Sequence, residues 1–254
     1  MSPFKIVRGI FLSVLIILVV CTFFFVHIPW WIFLVISSLF IALIGIGSAV
    51  MRYEFFLKSY NHPENPDHKI ALTFDDGPTE YTPEIVALLE NYDAKGSFFV
   101  IGKRVEEMPD QVKRMSEKGH LIGNHSYSHH FFFSMFTKGM VLKELIKTNE
   151  LIKSITGKVN VLFRPPYGVT NPSIAAAVIK MKMPVIGWNI RSFDTATKNP
   201  EQVVEKVISR LVPGSVVLLH DSLPQTLGIL EAILLYAKEH DYKCVTVDEI
   251  FNIK

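Results

Sequence analysis

Ile70-Ala71-Leu72-Thr73-Phe74-Asp75-Asp76-Gly77-Pro78 runs from an apolar segment straight into two adjacent carboxylates and a Gly-Pro turn. Ile70 to Phe74 reads as a strand, so the two acidic groups stand at its end. Asp, Gly and Pro also dominate ordinary turns. What sets this turn apart is His125-Ser126-Tyr127-Ser128-His129 further along the chain. One carboxylate and two imidazoles suit a divalent cation, and three protein ligands leave a coordination position open for water. The other carboxylate is then free to act as a base. Zinc, cobalt, nickel and iron all accept this donor set, so the spacing does not name the metal.

Outward from that strand the pattern alternates. Thr82-Pro83-Glu84 reads as a cap with Pro at the first helical position, opening a helix through about Tyr92. Ser97 to Ile101 is the next apolar run, and Val105 to Lys118 reads as a helix stopped by Gly119. His120 to Gly123 is a short strand, Gly139 to Ile155 a helix ended by Gly157, and Asn160 to Phe163 another strand. Asn171-Pro172 and Asn199-Pro200 open helices that lead to the runs Pro184 to Trp188 and Ser215 to Leu219. A helix over Gln225 to Glu239 and the run Lys243 to Val247 close the series.

Strands alternating with helices predict a parallel sheet covered by helices, an α/β fold. Residues 69–254 are fewer than the about 250 of a full eightfold barrel. The motif residues decide between a barrel and an open sheet. Asp75 and Asp76, His125, Arg164, Asn189 to Asp194, and His220-Asp221 each follow a different strand, and in a barrel all of them converge on the C-terminal rim. The expectation is a distorted, incomplete (β/α)7 barrel over residues 69–254.

The N-terminal part has a different character. From Gly9 to Met51 there is no Lys, Arg, Asp or Glu. At about 1.5 Å per residue a single helix of that length would be roughly twice the about 30 Å of a bilayer core. His27-Ile28-Pro29-Trp30 breaks the run, since Pro disfavours helix at the preceding residue and Trp prefers the membrane interface. Two transmembrane helices are expected, at about residues 10–26 and 31–50, forming a hairpin within residues 1–51 that contacts the bilayer through residues 10–50. No small-residue cleavage site precedes the second apolar run, which argues against a removed signal peptide. Lys5 and Arg8 before the hairpin and Arg52 and Lys58 after it put both ends, and hence the following domain, in the cytoplasm by the positive-inside rule. Residues 52–68, with Pro63 and Pro66, read as a linker.

The formal net charge of +2 and the lack of a basic block argue against nucleic-acid binding. Cys21 falls in a proposed span and Cys244 in an apolar run, so neither a disulfide nor an oxidising compartment is implied.

The motifs together resemble the polysaccharide deacetylases of carbohydrate esterase family 4, the NodB homology domain, from about Lys69 to Phe251. The family's Thr-Phe-Asp-Asp-Gly-Pro stands complete at Thr73 to Pro78, and its His-Ser/Thr-x-x-His/Asn at His125 to His129. Its Arg-x-Pro-Tyr/Phe appears as Arg164-Pro165-Pro166-Tyr167 and its Leu-x-His as Leu218-Leu219-His220. The resemblance implies Asp75 as general base and Asp76, His125 and His129 as ligands of one divalent ion, zinc first, with cobalt, nickel or iron as alternatives. It implies Arg164 holding the base, Pro166 and Tyr167 forming a wall of the groove with the Tyr167 amide on the oxyanion, and Leu218 in a pocket for the acetyl methyl. His220 is then the general acid, oriented by Asp194. In the fourth motif the chain departs: Arg191 and Thr195 stand where the family commonly has Asp and Trp. The implied activity is removal of N-acetyl groups from N-acetylglucosamine-containing glycans, whether polysaccharide, peptidoglycan fragment or lipid-linked oligosaccharide. A membrane-tethered carbohydrate-binding protein that has lost catalysis, and an amidohydrolase for another acetylated small molecule, are the alternatives.

Overall fold

The computed structural model describes residues 2–159 and 162–253. Two helices, α1 (Pro3–Phe24) and α2 (Trp30–Ala49), are long and apolar enough to cross a membrane. Their side chains are largely exposed, and Phe11 stacks on Phe40 between them.

Strand β1 (Lys69–Gly77) lies at the centre of a parallel sheet and is buried on both faces, as expected for a strand covered on each side. Its period-2 alternation sends Ile70, Leu72 and Phe74 outward under the helices and Ala71, Thr73 and Asp75 inward. Helix α3 (Thr82–Asn91) leads to β2 (Gly96–Val100), and α4 (Gly102–Glu107) with α5 (Pro109–Glu117) leads to β3 (Leu121–Asn124). Then come α6 (Lys138–Thr156), α7 (Pro172–Met181), β4 (Ile190–Arg191), α8 (Pro200–Ile208) and β5 (Val216–His220). The chain ends in α9 (Thr226–Glu239), β6 (Lys243–Cys244) and α10 (Val247–Ile250). The strand order is β3-β2-β1-β5-β4, all parallel, with β6 pairing the start of β1.

The sheet curls into a ring because the segment 185–191 reaches both flanks. Phe163 bridges Asn124 at the end of β3 and also Val185, while Ile190 and Arg191 pair with β5. A plug of Ala71, Phe99, Leu162, Ile186, Val216 and Val247 fills the lower interior. Polar side chains occupy the upper interior, above the C-terminal strand ends. This is the distorted, incomplete α/β barrel the alternation implies.

Several local expectations are corrected. The helix expected over Val105 to Lys118 is two helices, because Met108 precedes Pro109 and is pushed to φ −133°, ψ 54°. Thr82 does not cap α3 but is its first residue; its hydroxyl accepts from Thr79 N and donates to the Asp221 carboxylate. The runs at Phe163 and Pro184 to Trp188 make isolated bridges rather than ladders, and Asn160 and Val161 lie outside the described residues. The last run pairs only through Lys243 and Cys244 before α10 begins. Within residues 52–68, Phe56, Leu57 and Ser59 are buried, and Tyr60 exchanges backbone bonds with Val185 and Gly187.

Candidate active site

The inward alternation of β1 lifts Thr73 and Asp75 into the upper barrel, while Asp76 turns out of the strand with φ 73°. Gly77 must be glycine, because a Cβ there would strike the Asp221 carboxylate. From β3 the chain passes into His125, Ser126 (φ 68°) and His129 (φ 46°). Left-handed backbone at non-glycine residues costs on the order of 1–3 kcal/mol each, and clusters of it mark sites that the surrounding fold holds in place. Here Glu144 on α6 does the holding: its Oε2 accepts from the backbone N–H groups of Tyr127 and Ser128 and from the Ser128 hydroxyl. Arg104 of α4 donates to the Asp76 carbonyl.

Asp76, His125 and His129 thereby present three ligand atoms within 4.8 Å of one another. Asp76 Oδ1 lies 3.6 Å from His125 Nε2 and 3.4 Å from His129 Nε2. Ligands at about 2.0–2.1 Å on a tetrahedral ion stand about 3.3–3.4 Å apart, so these spacings fit one small cation. Asp76 Oδ1 is buried with no hydrogen-bond partner among the described residues, an arrangement that is costly unless a cation takes it up. His125 is prepared for the same role. Its Nδ1 contacts the Arg164 carbonyl at 2.8 Å; a carbonyl only accepts, so Nδ1 carries the proton and Nε2 keeps its lone pair. Burial pushes the His125 pKa down to about 3, which keeps the ring neutral.

Asp75 stands off this cluster, its Oδ2 3.8 Å from His125 Nε2. Arg164, fully buried, donates to Asp75 Oδ1 (2.9 Å), Thr73 Oγ1 (2.7 Å), the Ile186 carbonyl (3.2 Å) and the Gly187 carbonyl (2.8 Å). Its guanidinium lies over the rings of Phe99 and Trp188, 4.2 and 5.5 Å from their centroids.

Opposite, His220 ends β5 with Nδ1 2.8 Å from Asp194 Oδ1, and its backbone N–H donates to Asp194 Oδ2 (2.8 Å). Burial works against an imidazolium here. The hydrogen bond and charge of Asp194, with smaller contributions from Asp75 and Asp76, outweigh it and raise the pKa to about 9.

A cavity of about 260 Å³ joins these groups, lined by Asp75, Asp76, His125, His129, Tyr167, Leu218 and His220. Arg191 and Thr195 line it as well, as do Gly168 and Trp188. Arg164 and Asp194 sit behind the lining, each touching a group that faces the cavity, and Pro166 is buried beneath Tyr167. Tyr167 (φ 60°) lies 4.8 Å from the His129 ring, and Gly168 (φ 67°) leaves no room for a Cβ beside Trp188.

Thr73, Arg104, Glu144 and Trp188 also contribute to the site, and sequence reasoning did not assign them roles. Thr73 sits inside the Thr-Phe-Asp-Asp motif and two residues before Asp75, so strand alternation places it on the same inward face. Glu144 and Arg104 lie on helices among other charged residues, with nothing local to single them out.

A family model described as polysaccharide deacetylase matches residues 62–186. The chain is 38% identical over 188 residues to a peptidoglycan-N-acetylglucosamine deacetylase of Bacillus cereus, covering 70% of this chain and 68% of that one. It is 34% identical over 219 residues to the peptidoglycan-N-acetylglucosamine deacetylase PgdA of Listeria monocytogenes, covering 84% of this chain but only 46% of that relative, so it spans about half the relative's length. The crystal structure of the Bc1960 peptidoglycan N-acetylglucosamine deacetylase superposes with a TM-score of 0.72 at 29% identity, over 77% of this chain and 93% of that one. Sequence, fold and the strand-end cluster agree: the chain belongs to the polysaccharide deacetylase family.

Proposed function

We propose that this chain is a membrane-anchored, metal-dependent hydrolase that removes N-acetyl groups from N-acetylglucosamine-containing glycans. The observation that carries the reading is the three-ligand cluster flanked by two differently supported groups, Asp75 on Arg164 and His220 on Asp194. An amide is a poor electrophile and an amine a poor leaving group, so the reaction needs an activated water, a held oxyanion and a proton donor. Asp76, His125 and His129 would hold a divalent ion, zinc first, which when bound acidifies water and polarises the carbonyl. Asp75, fixed by Arg164, accepts the proton of the attacking water. The Tyr167 backbone N–H faces the developing oxyanion, and Leu218 packs on the acetyl methyl. His220, protonated at neutral pH and aligned by Asp194, donates to the departing sugar amine.

Acetate release from chitooligosaccharides and peptidoglycan fragments, with zinc or cobalt supplied, tests the reading. Full activity in Asp75→Asn and His125→Ala variants on the substrate turned over would refute it. Glycan binding without acetate release in the metal-loaded protein would instead identify a carbohydrate-binding protein, the reading that Arg191 and Thr195 at the cavity favour.

Helices α1 and α2 serve in this reading as a two-span anchor. The positive charges at Lys5, Arg8, Arg52 and Lys58 favour a cytoplasmic catalytic domain, for which the accessible glycan is a lipid-linked or soluble acetamido sugar. A reporter fused after Lys254 checks the side, and an external signal reassigns the substrate to peptidoglycan or an exopolysaccharide.

A further inference from the structure

The two apolar helices meet the barrel along α7. Just before α7, Thr170 donates its backbone N–H to the Ser48 carbonyl near the end of α2 (3.0 Å). Phe4, at the start of α1, donates to the Phe55 carbonyl (2.9 Å) and its ring lies against Phe55 and Phe56. At the far end of α7, Ile179 and Lys182 share a cavity of about 650 Å³ with Ser2, Pro3 and Tyr53. Both ends of the helical hairpin therefore stand on one side of the barrel, and Thr170 is three residues from Tyr167 at the catalytic cavity.

On that side the loop after His129 holds three large apolar side chains in the open: Phe131, Phe132 and Met135 are 75%, 54% and 77% exposed. The loop is anchored. Phe133 is buried beneath it, and Asn171, the N-cap of α7, donates to the Ser134 carbonyl. Phe131 also stands edge-on to Tyr167, with ring centroids 6.3 Å apart. Apolar side chains fixed outward on a tethered loop forgo the stabilisation that burial would bring, and a patch of this kind marks an interaction surface. Because Asn171 ties the loop to the same helix whose flanking residues carry the hairpin, the patch continues the face from which α1 and α2 emerge. Lys138, exposed at the start of α6, adds a positive charge suited to anionic headgroups.

We propose that the loop carrying Phe131, Phe132 and Met135 rests in the interfacial layer of the bilayer that holds the hairpin, so that the catalytic cavity opens along the membrane surface and takes glycan tethered to a membrane lipid. This rests on the reading of α1 and α2 as membrane spans.

The test uses the full chain, with Cys21 and Cys244 replaced by Ala, reconstituted in vesicles of phosphatidylethanolamine and phosphatidylglycerol. Nitroxide labels are placed by Phe132→Cys, by Ile16→Cys in α1, and by Leu235→Cys on α9, which packs against α3 and α8. Collision with molecular oxygen against a water-soluble nickel chelate reports depth. The expected result is lipid exposure at Phe132→Cys and Ile16→Cys and water exposure at Leu235→Cys. If Ile16→Cys is in lipid while Phe132→Cys matches Leu235→Cys, the proposal falls and the hairpin reading stands; if Ile16→Cys is in water, both fall. In the same vesicles, Phe132→Ser lowers turnover of a chitobiosyl polyprenyl diphosphate roughly tenfold or more, the factor carried by burying one aromatic side chain, and leaves turnover of soluble chitooligosaccharide unchanged. An equal loss on both substrates makes the loop a sugar-binding wall and overturns the proposal.

Discussion

Replacing Asp194 by Asn keeps the side chain's size and an Oδ1 acceptor for the Thr195 N–H, and removes both the charge that faces His220 and the second oxygen, which accepts from the His220 backbone N–H. Burial alone drives the imidazole toward its neutral form; Asp194 is the main reason its pKa stands at about 9 rather than at or below the ordinary 6.5. At about 1.4 kcal/mol per unit, that difference is on the order of 3 kcal/mol of preference for the proton. At about pH 8, wild-type His220 is then roughly nine-tenths protonated and the variant's only a few per cent, so ionisation alone lowers the rate roughly thirtyfold. The assay is the pH profile of acetate release from chitooligosaccharide by the zinc-loaded protein. The wild-type rate declines as pH rises through about 9, and in Asp194→Asn the same decline begins near or below the ordinary histidine range, about 6.5. A variant that is slower at every pH while its alkaline limb stays in place would show that Asp194 only aligns the ring, and the electrostatic reasoning would be refuted.

Arg164→Met leaves Asp75 as an uncompensated buried charge and should destabilise the fold by about 3–5 kcal/mol, read from urea unfolding; Arg164→Lys restores the charge without the planar fork and should not recover activity. Burial pushes the Asp221 carboxyl up to about 7 from its ordinary 3.8, so this group favours the folded state fully below about 4 and loses that benefit as pH rises through about 7. The melting temperature of Asp221→Asn, which keeps an acceptor for Thr82, should therefore gain on wild type across that window; a constant difference between the two proteins would show the reasoning wrong. Gly168→Ala forces a Cβ into Trp188 at φ 67° and should cost about 1–3 kcal/mol of stability with a larger loss of turnover, measured by thermal melts beside acetate release.

Much of the site was legible because its residues sit at strand ends, where a period of two and a short motif fix which side chains face inward. Following a strand or bridge end put Asp75, Arg164 and His220 at one rim, while the separate role of each came from the family resemblance. The strands themselves were less legible where closure is completed by geometry. Phe163 and Val185 look like strand residues, yet Tyr60 from the segment after the hairpin takes the place along 185–187 that a longer ladder would have occupied. Apolar pattern reports which residues leave water, not which neighbour receives them. The same limit hid Glu144, whose carboxylate organises the His125–His129 loop from a helix fifteen or more residues away. It also hid the contact of Ser48 with Thr170, which no local rule could have joined.

Arg164 does for the barrel wall what its backbone does only sparsely. Between Phe163 and Ile186 the wall has isolated bridges, and one guanidinium spans from β1 to the carbonyls of Ile186 and Gly187. The side chain that fixes the Asp75 carboxylate is thus also a strut across the seam, so closing the ring and ordering the site are one event. A fluctuation that opens the seam around residues 185–187 would switch the site off while α3, α6 and α9 remain folded. In rising denaturant, turnover should therefore vanish ahead of the far-ultraviolet helical signal, with activity acting as a gauge of ring closure.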